Sequence, residues 1–181
     1  MQEKKFIRDD MRKAKLRLSN YDKRIASESV FLNFTKLKEL NNAQNILLYY
    51  SLPDELQTTV FFEGITDKNI FLPKVNGNDL IILPYIKEEL KQGAFSILEP
   101  QGTETANPDD MDIIIVPGVA FDKQFNRLGR GKGFYDKLLS HNNSLKIGIG
   151  YDFQLLESIP SELHDIKMDI ILTPSITLRQ S

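Results

Sequence analysis

The sequence contains no cysteine, two histidines and no long apolar run. Without cysteine there is neither a disulfide framework nor a thiolate metal site. His141 and His164 are too few for a multi-histidine zinc centre, and a lone His164 reads as structural or solvent-exposed. The apolar stretches fall well short of the roughly 20 residues a membrane span requires. The N-terminus is charged from Glu3 onward, so no secretory signal is expected, and the expected setting is the cytoplasm. A net charge of −2 over 181 residues argues against a globally basic nucleic-acid binder. That length fits one domain, 1–181, able to bury about two-thirds of its unfolded surface. Internal repeats and low-complexity segments are absent.

What is present centres on Val116 to Asp136. An apolar strand, 112–116, runs into Pro117-Gly118 and then a basic loop with alternating Gly129, Gly131 and Gly133. A helical segment, 134–140, follows at once. Strand, glycine loop and helix start aim backbone N–H groups at an anion, and Arg127, Arg130 and Lys132 add formal charge. The spacing is neither a P-loop, because Lys132 is followed by Gly133, nor G-x-G-x-x-G. A basic surface turn is the plainer alternative. Phe134-Tyr135 and then Asp136 in the first helical turn weigh toward a phosphate site. Beside a polyphosphate, Asp136 would be placed to hold Mg²⁺.

The string P-G-V-A-F-D-x-x-x-N-R-L-G-R-G-K-G-F-Y-D over Pro117–Asp136 resembles the signature of the 5-formyltetrahydrofolate cyclo-ligase family. It departs in two places: Phe125 stands where the family commonly has glycine, and Phe134 where it has tyrosine. The first alters a turn; the second removes a hydroxyl but keeps a ring.

Upstream, residues 2–18 read as an amphipathic helix with Ile7, Met11, Ala14 and Leu18 on one face. Lys4, Arg8, Arg12 and Lys15 form a neighbouring stripe, by itself a solvated basic face. The resemblance implies more, since family members open with a Lys-x-x-x-Arg pair on the ATP phosphates, matched by Lys4 and Arg8. Asn20 can cap a second helix reaching to about Leu40, buried through Val30, Phe31, Phe34 and Leu37.

The run Ile46 to Tyr50 reads as a strand buried on both faces, followed by a turn at 51–55 and a helix from about Gln57 to Thr66. A short strand from Asn69 to Leu72 ends at Pro73-Lys74. Together these form a βαβ unit, and ligands of open parallel sheets sit beyond the carboxyl ends of the strands. On position alone Glu55 is a helix-start carboxylate and Lys74 a surface lysine. Ser51 to Thr58 matches the family's S-x-x-D-E-x-x-T string, which implies that Glu55 faces the pterin. Tyr50 corresponds to another substrate-lining position and Lys74 to a basic residue near the folate glutamate tail. Residues 79–98 read as an antiparallel excursion: Leu80 to Leu83, a charged turn, then Ala94 to Leu98. Residues 99–110 read as a connection across the sheet edge. Gly148, inside the strand Lys146 to Gly150, marks a close approach. Ile170 to Leu172 reads as a last short strand. Asp169, just before it, aligns with a family aspartate associated with Mg²⁺, although in a parallel sheet it would stand at the edge away from the ligand.

The fold expected is a single three-layer α/β/α domain, with a mostly parallel, doubly wound Rossmann-like sheet and two N-terminal helices. The resemblance, from Lys4 to about Thr173, implies ATP- and Mg²⁺-dependent conversion of 5-formyltetrahydrofolate to 5,10-methenyltetrahydrofolate. Arg130 and Lys132 then act in catalysis. Lys4, Arg8, Arg127, Gly129, Arg130, Gly131, Lys132, Gly133, Phe134 and Tyr135 hold ATP. Tyr50, Glu55, Lys74, Phe134 and Tyr135 take the folate, polyglutamylated or not, while Asp136 and Asp169 take the metal. A monomer is expected, with neither nucleic acid nor membrane as partner. Two other classes stay open: a non-catalytic folate- or nucleotide-binding protein, and a phosphotransferase with a different small acceptor.

Overall fold

Isoleucine-rich runs without polar alternation become the inner strands of a seven-stranded sheet. The computed structural model describes residues 2–93, 98–140, 142–162 and 165–180. In chain order the strands are β1 (Asn45–Leu47), β2 (Asn69–Asn76), β3 (Asp79–Pro84), β4 (Lys91–Gln92), β5 (Leu98–Glu99) and β6 (Ile113–Pro117). Then come β7 (Ala120–Asp122), β8 (Arg127–Leu128), β9 (Leu145–Ile149), β10 (Leu155–Leu156), β11 (Ile170–Leu172) and β12 (Thr177–Arg179). The helices are α1 (Gln2–Lys15), α2 (Asn20–Thr35), α3 (Thr59–Gly64) and α4 (Phe134–Leu139).

The large sheet has the order β12-β11-β9-β6-β1-β2-β3. Its inner strands run parallel, while β3 and β12 are antiparallel edges. The expected α/β architecture and βαβ unit are present, with α3 between β1 and β2 and α4 between β6 and β9. Successive side chains of a strand point to opposite faces. Ile113 and Ile115 therefore join the core under α2 and α3, with Phe34 and Phe61. Ile114 and Val116 join the opposite core, with Phe121 and with Leu139 of α4. Burial on both faces is why these strands read as continuous apolar runs.

The N-terminal helix buries Met11 and half-buries Ile7 and Ala14, as its spacing predicts, and packs beside the small sheet β10-β7-β8. It ends at Lys15, short of the expected residue 18, and Leu18 packs instead on the core with Val30 and Phe34. The cap of α2 is Ser19 rather than Asn20. Its hydroxyl accepts from the Asp22 amide, and Asp22 answers on the Ser19 amide, a reciprocal box that satisfies two helix-end donors. The helix closes at Thr35, and a short 3₁₀ turn, Lys38–Asn41, fills the distance to β1.

Strand β2 does not stop at Pro73 but continues to Asn76 and turns back into β3. The lost proline N–H costs little there, because β1 ends at Leu47, opposite Phe71, and among the described residues no strand pairs with that side of β2 beyond it. The first half of the expected excursion is present, with Leu80 to Leu83 in β3 paired antiparallel to β2 and a charged 3₁₀ turn at Lys87–Glu89. Most of the second half, 94–97, lies outside the described residues, as do His141 and His164. Strand β12 follows β11, beyond the strand expected to be last. Gly148 meets the ring of Phe121, where a Cβ would come within 2.4 Å of Cε1, so the close approach is to a core aromatic.

Candidate active site

At the carboxyl ends of the parallel strands lies a cleft of about 880 Å³. Tyr49, Tyr50, Asp54 and Glu55 line it after β1, and Pro117 to Val119 after β6. The hairpin contributes Pro73, Val75, Gly77 and Leu80, while Gly129 to Lys137 close another side.

The stretch after β1 is shaped by its own short polar side chains. The Ser51 amide donates to the Thr58 hydroxyl and the Thr58 amide to the Ser51 hydroxyl, both at 3.2 Å. The Thr58 hydroxyl donates in turn to the Tyr49 carbonyl at 2.6 Å. This clasp explains the serine and threonine at the two ends of the string, and it presents Asp54-Glu55 between them. Glu55 is nearly buried. Its Oε2 accepts from the Leu52 amide at 3.0 Å, and its backbone carbonyl accepts from the Tyr151 hydroxyl at 3.1 Å.

The glycine loop is launched by the β7–β8 turn. Buried Asp122 accepts from the amides of Gln124, Asn126 and Ile159 and from the Asn126 side chain, each at 2.9 Å. Phe125, the residue in the glycine position of the signature, holds φ +67. A bulky residue there carries backbone strain, and its ring packs on the core beside α4. Gly131 at φ +96 and Gly133 at φ +71 take conformations that L side chains rarely adopt. The helix that follows is only six residues long and has no side-chain cap. Its dipole is correspondingly small, so the loop amides and cations must supply most of any attraction for an anion.

Arg130 reaches back across the cleft to the acidic pair. Its Nη2 lies 2.7 Å from Asp54 Oδ1 and 3.0 Å from Glu55 Oε1, with Nε 3.2 Å from the same Glu55 oxygen. Burial works against the guanidinium charge, but Glu55 and Asp54 outweigh it and raise the Arg130 pKa. Arg127 is almost buried. It donates through Nη1 to the Pro117 carbonyl and through Nη2 to Asp136 Oδ1. Its Nε and the Tyr135 hydroxyl are buried polar atoms without a hydrogen-bond partner among the described residues. Burial, with Glu55 adding, pushes the Tyr135 phenol well up, so it stays protonated and able to donate.

The structure thus gathers Tyr50, Glu55, Arg127, Gly129, Arg130, Gly131, Lys132, Gly133, Phe134, Tyr135 and Asp136 at one cleft. Arg8 touches the loop from outside, its Nε donating to the Gly129 carbonyl at 3.0 Å. Arg8 and three other expected residues do not line the cleft. Lys4 pairs with Glu162 at 3.1 Å and Asp165 at 3.4 Å. Lys74 lies in β2 between Pro73 and Val75 but is not among the residues that line the cleft. Asp169 precedes β11, which runs parallel to β9, and is tied to the opposite edge by accepting from the Lys146 amide at 2.7 Å. That edge corrects its expected metal role.

Among the described residues no three His, Cys, Asp or Glu side chains cluster as a metal site. The donor set fits an ion held mainly by phosphate oxygens, with Asp136 the carboxylate that follows the glycine loop. Sequence reasoning missed Asp54 and Lys15. Lys15 lies four residues after buried Met11, so its place on the apolar seam was a signal of burial. No described helix is long and apolar enough to cross a membrane.

The chain matches the family model described as "5-formyltetrahydrofolate cyclo-ligase family" over residues 1–174. It is 34% identical to the 5-formyltetrahydrofolate cyclo-ligase of Haemophilus influenzae, over 94% of this chain and 97% of that one. It is 33% identical to a probable 5-formyltetrahydrofolate cyclo-ligase of Schizosaccharomyces pombe, over 84% and 86%. The solved structure of 5,10-methenyltetrahydrofolate synthetase from Aquifex aeolicus superimposes with a TM-score of 0.89 at 37% identity, covering 97% of this chain and 92% of that one. A 5,10-methenyltetrahydrofolate synthetase from Mycoplasma pneumoniae gives 0.79 at 26%, covering 96% and 99%. Matched along nearly its whole length in sequence and in fold, the chain belongs to the 5-formyltetrahydrofolate cyclo-ligase family.

Proposed function

We propose that the whole chain, 1–181, acts as one catalytic domain that converts 5-formyltetrahydrofolate and ATP to 5,10-methenyltetrahydrofolate, ADP and phosphate. The observation that carries this reading is the span of the cleft, which has a buried carboxylate, Glu55, at one side and a cationic glycine loop at the other, joined by Arg130. A carboxylate can accept two hydrogen bonds from a 2-amino-pyrimidinone edge, which suits Glu55 to the pterin. Tyr50, Phe134 and Tyr135 supply ring surface beside it, and the Tyr135 hydroxyl is a donor awaiting an acceptor.

A formamide oxygen is a poor leaving group. Transfer of the γ-phosphoryl group to that oxygen breaks the bond to ADP and gives an imidate phosphate. The neighbouring N10 then attacks the formyl carbon and loses its proton, and the carbon–oxygen bond breaks as phosphate departs. Such chemistry asks the protein for alignment and charge neutralisation rather than a covalent intermediate. Arg130, Lys132 and the Gly129 to Gly133 amides are assigned to the transferring group, and Arg8 holds the loop in shape. Arg127 fixes Asp136, the residue that would hold Mg²⁺. When bound, that ion would neutralise phosphate oxygens. The protein is read as a monomer, acting in the cytoplasm.

The test is incubation with 5-formyltetrahydrofolate, with and without MgATP. The near-ultraviolet band of the methenyl product should appear only with ATP and in step with ADP. Folate binding without turnover would indicate a binding protein, and ATP consumption without the band a different phosphoryl acceptor; either would overturn the reading.

A further inference from the structure

Lys15, in the last turn of α1, is 4% exposed, and its Nζ lies 3.6 Å from Asp54 Oδ2. The other oxygen of Asp54 accepts from Arg130 Nη2, and Arg130 continues to Glu55. The four side chains therefore form a row of alternating charge, Lys15, Asp54, Arg130, Glu55. It begins outside the cleft wall and ends at the residue assigned to the pterin. Neither Lys15 nor Asp54 has a part in the reaction described above.

The charges are mutually tuned. Burial lowers the Lys15 pKa, which Asp54 and Glu55 only partly restore, and Arg130 lowers it further. Burial opposes the Asp54 charge, but Lys15 first and Arg130 next outweigh it, so the Asp54 pKa falls. One carboxylate is thus divided between two cations. A charge shared in this way holds each partner less tightly than it would hold one alone.

We propose that Lys15 and Asp54 are positioning residues that set how readily Arg130 leaves the acidic pair for the nucleotide phosphates. Asp54 competes with phosphate for the guanidinium, and Lys15 weakens that competition by occupying the second oxygen. The inference rests on the reading of Arg130 as a phosphate ligand. It explains why a buried ammonium, costly in itself, stands behind a half-exposed carboxylate.

The two residues then act with opposite sign. Lys15→Met leaves Asp54 facing Arg130 alone, and should raise the KM for ATP and the Kd for ADP by roughly three- to tenfold. Asp54→Asn removes the competitor and should lower both by a similar factor. Lys15→Arg should restore the parental values. In the double variant the Lys15 change should have a much smaller effect than in the parent, because the contact through Asp54 is gone and only the longer-range coupling to Glu55 and Arg130 is left. The experiment is calorimetric titration of each full-length variant with ADP, alongside the KM for ATP and urea unfolding. A merely structural role would move both single variants toward weaker binding, and that result, or a Lys15 effect as large in the double variant as in the parent, overturns the proposal. Arg130→Ala is titrated in parallel. If it binds ADP as tightly as the parent, the phosphate reading itself has failed, which is distinct from failure of the relay.

Discussion

The guanidinium of Arg130 rests on the carboxylate of Glu55, with Nε at 3.2 Å and Nη2 at 3.0 Å from one oxygen. The two residues serve different ligands in the proposed reaction, yet without ligands they neutralise each other. Arriving substrates must therefore part them, and the contact links the two ends of the cleft.

Removing Arg130 tests its phosphate role. Arg130→Ala should lower kcat/KM ten- to a hundredfold, since a charge-assisted contact contributes about 1.5–3 kcal/mol. Its side chain is about half exposed, so stability should change by no more than about 1 kcal/mol. Steady-state kinetics and urea unfolding separate the two effects. Parental kcat/KM would contradict the assignment.

The Tyr135 hydroxyl is buried without a protein partner among the described residues. Tyr135→Phe should raise the Tm of the ligand-free protein, because an unsatisfied buried hydroxyl costs about 1–3 kcal/mol. It should also weaken substrate binding by about tenfold. A lower Tm with unchanged binding would show that the hydroxyl is satisfied and idle.

Phe125 offers a direct measure of backbone strain. Phe125→Ala and Phe125→Gly both lose the ring contact, but only glycine relieves the cost of φ +67. The alanine variant should be less stable than the glycine variant by about 1 kcal/mol in urea unfolding. Equal stabilities would mean that the turn relaxes around the side chain.

Three phenols predict an alkaline limit. Burial is the first cause raising Tyr49, Tyr135 and Tyr151; Glu55 comes next for Tyr49 and Tyr135, and Asp54 for Tyr151, which is pushed up to about 12. A raised folded-state pKa on an acid means that the native state keeps protons the unfolded chain has released. Their contribution is therefore whole below pH 10; that of Tyr151 is lost as pH rises from 10 through about 12, and those of Tyr49 and Tyr135 fall from pH 10 upward. The slope is up to about 1.4 kcal/mol per pH unit for each phenol. Absorbance at 295 nm should show these phenols ionising only as far-ultraviolet circular dichroism is lost. Early ionisation in a folded chain would contradict their burial.

Much of the fold could be read from sequence because its strands are buried on both faces, as in the run through Ile113, Ile114 and Ile115. The cleft loop could be read too, because Phe134, Tyr135 and Asp136 follow the alternating glycines and cations and complete a long signature. What stayed hidden depends on pairs distant in sequence. Asp54 is partnered by Lys15 and Arg130, from two other segments, and no local pattern encodes that meeting. Strand β2 passes Pro73 only because β1 stops short, a fact about the neighbour rather than about proline. Asp169 belongs to the opposite edge because β11 is parallel to β9, and strand direction cannot be read from three apolar residues.

The central claim is that residues 129–133 form the seat of a nucleotide's phosphates. A crystal structure of the ADP complex tests it most directly. The account predicts the β-phosphate within hydrogen-bond distance of the loop amides, with Arg130 drawn off Asp54 onto the phosphate. Phosphates bound elsewhere, with the loop untouched and Arg130 still on the acidic pair, would contradict it.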